Sequence, residues 1–135
     1  MVDAAVRHAE ALVRQRAEGL DDHGPEELLR HGLPIDEASI TSWRVWLSVR
    51  TEVLFDPALK PVHDRMYASW ESAARVALGR LDLPDPEWSI AQVVAVIDGI
   101  AVRATVDPAA WPPDLQLEHA RAGLATILVR DPETP

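Results

Sequence analysis

A chain of 135 residues without cysteine has the length of one ordinary domain, and it lacks any disulfide framework, thiol nucleophile or thiolate metal site. Its formal net charge of −9 and pI of about 4.9 oppose DNA or RNA contact by this chain, because such affinity comes mostly from Lys and Arg on phosphates. Met1 is followed by mixed charges, not by the basic stretch and apolar run of a signal peptide, so a cytoplasmic protein is expected.

In chain order, Val2 to Ala17 places Val2, Ala5, Val6, Ala9, Leu12 and Val13 at helical spacing with charges opposite, which predicts an amphipathic helix. Its stripe begins at once after Met1 with no cap, as if another element should precede it; a truncated parent or a natural start are the two readings. Gly19 and the polar run Asp21-Asp22-His23-Gly24 end that helix. Pro25 opens a short helix over Glu26 to Arg30, which Gly32 and Pro34 stop. Asp36 is an N-cap candidate for the next helix, which runs to about Phe55. Ile40, Trp43, Leu47 and Leu54 lie along one face of it, and Trp46, Val49 and Val53 widen the buried arc.

Asp56-Pro57 signals another helix start, followed by a stripe of Leu59, Val62, Met66, Trp70, Ala73, Ala77 and Leu81. Pro61 lacks a backbone donor, and a break or kink is expected there. Leu83 to Pro86 is a linker, and Asp85-Pro86 caps the central helix, Ser89 to Val106. Nearly every position from Ile90 onward is apolar, the exceptions being Gln92, Asp98, Gly99, Arg103 and Thr105. A helix apolar on all sides needs cover on all sides, from its own chain or from a second copy; it is too short and too interrupted by charge for a membrane span. Gly99 in mid-helix costs about 1 kcal/mol against Ala and points to close approach by another helix. Asp98 needs a partner, since an unpaired buried carboxylate is strongly unfavourable. A ligand, an arginine or a wet subunit boundary would each supply one.

After Asp107-Pro108, a loop holds Trp111 and the Pro112-Pro113 pair. The last helix, Asp114 to Leu128, puts Leu117, Ala120, Leu124, Ile127 and Leu128 on one side. Residues 131–135 are expected to form a disordered tail. With no repeats and no convincing strands, the chain reads as all-α: residues 1–130 form a single helical bundle of about five main helices plus a short one.

Catalysis finds no support: there is no Gly-x-Ser-x-Gly turn, no phosphate loop and no His-Glu-x-x-His helix. His8, His23, His31, His63 and His119 are scattered without ligand spacing. No enzyme activity, metal site or cofactor is therefore expected. Ser39, Thr41 and Ser42 open a helix, where hydroxyls serve as caps. The aromatic residues are more informative. Trp43 and Trp46 stand one turn apart on one helix, and Tyr67 and Trp70 one turn apart on the next. His63, Tyr67 and Glu71 form a polar line beside the second pair, and Arg50 lies one turn beyond Trp46. Were these helices neighbours, Trp43, Trp46, Arg50, His63, Tyr67 and Trp70, with Asp98, would wall an apolar cavity with a few polar anchors, the make-up of a small-molecule pocket. Plain core packing of bulky rings is the competing reading.

The ordered set of signals resembles the C-terminal regulatory domain of TetR-type transcriptional repressors, and within them the BetI-like group. Trp43-Arg44-Val45-Trp46-Leu47 opens a helix, Asp56-Pro57-Ala58-Leu59 starts the next, and a Tyr-x-x-Trp follows at Tyr67 and Trp70. Ile97-Asp98-Gly99-Ile100-Ala101-Val102-Arg103 is close to the group's Val-Asp-Gly-Leu pattern, and Asp107-Pro108 precedes a final helix. The likeness covers essentially the whole chain after Val2, with Val2 to Ala17 as the linking helix. It departs in having no helix-turn-helix head, and mildly at Pro61. The resemblance implies a homodimer whose Ser89–Val106 and Asp114–Leu128 helices pack as a four-helix bundle. Gln92, Val96, Gly99, Arg103, Leu117, Leu124 and Leu128 are the residues expected on that interface. It also implies a cavity for a small, partly apolar effector, bounded by the first, third and fourth long segments. A headless interaction module that pairs with itself or with an intact paralogue and binds no ligand is the alternative.

Overall fold

Proline and aspartate punctuate the architecture. In the computed structural model of the chain, which describes residues 24–129 together with Arg7 and Ala11, α1 spans Pro25–Gly32, α2 Glu37–Phe55, α3 Lys60–Leu78, α4 Pro86–Val106 and α5 Pro113–Leu128. A single 3₁₀ turn, Pro57–Leu59, joins α2 to α3. No strand occurs among the described residues, and the protein is all-α. The helix expected over Val2 to Ala17 and the tail over Asp131 to Pro135 lie outside the described residues, Arg7 and Ala11 excepted.

Proline stands in the first turn of α1, α3, α4 and α5, where its missing N–H leaves no helical hydrogen bond unmade. The break expected at Pro61 falls just before it: the 3₁₀ turn Pro57–Leu59 gives way to α3 at Lys60, which leaves Pro61 in the first turn. Carboxylates cap α2, the 3₁₀ turn and α4. Asp36 accepts from the Ser39 N–H at 2.7 Å, and the Ser39 hydroxyl accepts from the Asp36 N–H at 3.0 Å, a reciprocal capping box. Asp85 accepts from the Trp88 N–H at 3.1 Å and so starts α4. A cap of this kind contributes about 0.5–2 kcal/mol.

Helix α4 runs through the middle and packs against α1, α2, α3 and α5. Its Ile90, Val93, Val94, Ile97 and Ala101 join Leu28, Leu29 and Leu33 from α1 and its exit, Ala73, Ala74, Ala77 and Leu78 from α3, and Leu117, Ala120, Leu124 and Ile127 from α5 in one core. A smaller cluster of Val49, Leu59 and Met66 fills the space between α2 and the start of α3. By length and composition alone α4 would suffice to cross a membrane, so its charged positions do not exclude that as the sequence suggested; its inner side is nonetheless core.

Several faces differ from expectation. Cover from within the chain reaches only part of α4, and Gln92, Gly99 and Arg103 are exposed. A Cβ on Gly99 would meet nothing within 4 Å, so among the described residues no helix approaches it closely. The close approach occurs instead at Gly123 on α5, where a Cβ would stand 3.0 Å from Val96 Cγ1. Leu117 and Leu124, expected on a subunit boundary, are buried in the chain's own core and offer no surface to a partner. Leu128 is half-buried against that core. Leu54 is 78% exposed and Leu81 39%, outside the stripes to which periodicity assigned them: Leu54 lies in the last turn of α2, and Leu81 falls past the end of α3.

Candidate functional site

Between α1, α2, α3 and α4 the core gives way to an aromatic cleft. Trp43 turns inward from α2, and its indole N–H donates to the Gly32 carbonyl at 2.7 Å in a buried hydrogen bond. Gly32 ends α1, and helix ends leave such carbonyls without a helical partner. Trp70 comes from α3 and lies flat against the same residue. A Cβ on Gly32 would sit 2.7 Å from Trp70 Cη2 and Cζ2 and 3.1 Å from Ile97 Cγ2. Only hydrogen fits there, so Gly32 is the hinge plate between two indole rings.

One turn along α2 from Trp43, Trp46 stacks on His63 with ring centroids 5.5 Å apart and an interplanar angle of 25°. The Trp46 ring meets Tyr67 edge-on at 5.5 Å, and His63 and Tyr67 are 4.9 Å apart. These are the offset and edge-to-face geometries that aromatic rings prefer. The His63 Nδ1 contacts Asp64 Oδ1 at 3.1 Å. Together His31, Gly32, Ser42, Trp43, Trp46, Met66, Tyr67, Trp70 and Asp98 line a solvent-open cleft with about 50 Å³ of water-sized space. On that measure one water needs roughly 10–15 Å³, so the cleft has room for a small organic group.

Its polar end is a triad of Tyr67, Asp98 and Arg50. The Tyr67 hydroxyl donates a short hydrogen bond to Asp98 Oδ2. Arg50 Nη1 stands 3.6 Å from Asp98 Oδ1, an ion pair too long to be a hydrogen bond. The Arg50 guanidinium carbon lies 5.6 Å from the ring centroids of both Trp46 and Tyr67, in cation–π range of each. Burial pushes the Tyr67 phenol above its ordinary range, and the hydrogen bond to Asp98 and the charge of that carboxylate push it further, so it remains a proton donor. Burial also raises Asp98, with the Tyr67 hydrogen bond and the Arg50 and His63 charges pulling partly the other way. Two buried donors on this side, Arg50 Nη1 and Trp70 Nε1, have no hydrogen-bond acceptor among the described residues. Leaving a buried donor unsatisfied costs about 1–3 kcal/mol.

The expected aromatic cluster is thus assembled, and Trp43, Trp46, Tyr67, Trp70 and Asp98 line the cleft. Arg50 and His63 stand behind it and touch its lining rings. The walls differ from expectation in one respect: the short α1 supplies His31 and Gly32, whereas α2 carries the rings that the aromatic spacing assigned to the cavity and that the boundary implied by the resemblance left out. Gly32 read as a helix stop, Ser42 as a cap and Met66 as core stripe; none carried a signal of the cleft. Asp98, open between ligand, arginine and subunit boundary, meets Tyr67 and Arg50 on the cleft side. On the opposite flank, Arg103 lies over the Trp111 ring at 4.8 Å. Among the described residues, no group of three or more His, Asp or Glu is placed to hold a metal ion.

The family profile of BetI-type transcriptional repressors, C-terminal, matches residues 26–129. Among curated proteins no match is found. Among solved structures, a transcriptional regulator from Rhodococcus sp. Rha1 is similar in fold, with a TM-score of 0.72 and 21% sequence identity over 91% of this chain and 81% of that one.

Proposed function

We propose, since this chain belongs to the C-terminal family of BetI-type transcriptional repressors, that it is an effector-sensing and dimerising regulatory domain whose effector binds in the Trp43–Trp46–Tyr67–Trp70 cleft. The observation that carries this reading is the cleft itself: three tryptophans and a tyrosine enclose open space beside Asp98, where a filled core would have closed. The unpaired Arg50 and Trp70 donors support it further, because buried polar groups are normally satisfied.

The response to a ligand follows from Gly32. Its carbonyl is held by Trp43 and its Cα is pressed by Trp70. A ligand that displaces either ring acts on the end of α1, the segment that joins the bundle to the chain preceding it. Such a ligand shifts populations only by the difference in its affinity for the two arrangements. Dimerisation is assigned to the exposed face of α4 carrying Gln92, Gly99 and Arg103, with Val96 partly turned toward α5. Contact with DNA falls to another part of the regulator, on the same polypeptide or on a partner.

Tryptophan fluorescence tests the sensing function directly, since Trp43, Trp46 and Trp70 line the cleft. A library of small neutral, anionic and cationic compounds is expected to contain members that change the emission and raise the melting temperature by mass action. Trp46→Ala is expected to abolish the response. A library without any such compound would leave the cleft as imperfect core packing and end the effector reading.

A further inference from the structure

We propose that the cleft takes a flat, uncharged molecule, about one ring in size, whose apolar body carries a hydrogen-bond acceptor such as a carbonyl oxygen. This assignment of ligand class rests on reading the cleft as the effector site. The walls fix the body: Trp43, Trp46, Trp70 and Met66 present flat or apolar surface, which favours a plate-like group that stacks. About 50 Å³ of water-sized space limits that group to a single ring with a short substituent.

The polar atoms fix the head. The indole N–H of Trp70 is buried without an acceptor, and an indole nitrogen donates and never accepts. Arg50 Nη1, behind the lining rings and in an ion pair with Asp98 at 3.6 Å, is a second buried donor without a hydrogen-bond acceptor. Among the described residues no hydrogen-bond acceptor reaches either atom, so the complement they ask for is an acceptor.

Charge then excludes the ions. Arg50 and Asp98 offset each other formally, at 3.6 Å. The place a cationic ligand would take over the Trp46 and Tyr67 faces is already held by the Arg50 guanidinium, 5.6 Å from each ring, and Asp98 Oδ2 is engaged by the Tyr67 hydroxyl. An anionic ligand would be brought beside the Asp98 carboxylate, which like-charge repulsion disfavours. A neutral acceptor avoids both penalties.

The test compares four one-ring probes on the full chain by tryptophan fluorescence and calorimetry: acetophenone, ethylbenzene, benzoate and benzylammonium. Acetophenone is expected to bind roughly tenfold more tightly than ethylbenzene, which lacks only the acceptor, and more tightly than either ion. Trp70→Phe removes the donor together with the ring edge that meets Gly32; it is expected to weaken acetophenone more than ethylbenzene, so that the two probes bind alike. Should that variant misfold, the ranking on the unaltered chain decides alone. Tighter binding of benzoate or benzylammonium, or equal binding of acetophenone and ethylbenzene, overturns the assigned class while leaving the cleft an effector site. Silence from all four probes, with other library compounds still perturbing the emission, overturns the class in the same way. Silence from the whole library overturns the effector reading itself.

Discussion

The two flanks of α4 are built on opposite plans. Toward α5 the contacts are aliphatic and close: Val96 rests on Gly123 with no room for a Cβ to spare, and Leu117, Ala120 and Leu124 are buried to 6% exposure or less. Among the described residues, the unpaired buried atom on that flank, Gln116 Oε1, belongs to an amide whose nitrogen donates to both Pro34 and Trp111 carbonyls. Toward α2 and α3 the residues are large rings with polar edges, and the packing stays open around a tyrosine, a carboxylate and two unpaired donors. Small aliphatic side chains interdigitate to crystal-like density. Rigid indoles meeting at angles do not, and their N–H groups demand partners. The flank that breaks the rules of a well-made core is where function is expected, because sequences keep local violations mainly where a site needs them.

The sharpest way to break the contrast is Gly32→Ala. On the cleft flank a Cβ at 2.7 Å from the Trp70 ring forces the ring or the end of α1 to move. Overpacking of this kind, less what alanine gains in helix propensity, is expected to destabilise by about 1–2 kcal/mol and to alter tryptophan emission. Urea unfolding and an emission spectrum check both; an equally stable variant with parental emission would mean that Trp70 does not rest on Gly32.

A subtler contrast is the sign of the pH response. Burial raises Asp98 in the folded chain, so the folded state holds that proton where the unfolded chain has released it. Stability from this group therefore declines as pH rises from the ordinary carboxylate range through the raised value. On the α1–α5 surface the Arg121 hydrogen bonds and charge lower Glu26, so its contribution is present above the ordinary range and is lost as pH falls through the lowered value. Unfolding curves across the acid range are expected to show Asp98→Asn gaining on the parent as pH rises, and Glu26→Gln gaining as pH falls. Parallel curves for Asp98→Asn and the parent would remove the buried, raised carboxylate from the account of the cleft.

Much of this was legible from punctuation and spacing. Asp36, Asp56 and Asp85 announced their helix starts because a carboxylate before a first turn satisfies donors that nothing else reaches. The Trp43–Trp46 and Tyr67–Trp70 spacings paired the rings on α2 and on α3 and left open whether the two helices meet. Periodicity states which residues share a face, but not which neighbour that face meets. That is why Leu117 and Leu124 were assigned to a partner when they fill the chain's own core, and why the close contact at Gly123 carried no signal. Gly32 was illegible for a related reason: its constraint comes from Trp70, a residue of another helix, and a glycine that ends a helix looks the same with or without an indole above it.

Gly99 gives the smallest effect and the cleanest reading of the outer face of α4. Among the described residues nothing stands within 4 Å of where its Cβ would be, so Gly99→Ala exchanges a poor helix former for the best one at no packing cost to them. The single fold should gain about 1 kcal/mol, seen as a raised urea midpoint at protein concentrations low enough to keep subunits apart. Association responds in the other direction if this glycine lies where a second copy of α4 crosses, because a methyl group there holds the two backbones apart. Sedimentation is therefore expected to show weaker self-association in the variant even as its fold is strengthened. A variant that is more stable and associates as the parent does would move the subunit contact away from Gly99, leaving its exposed neighbours Gln92 and Arg103 without a role at the interface.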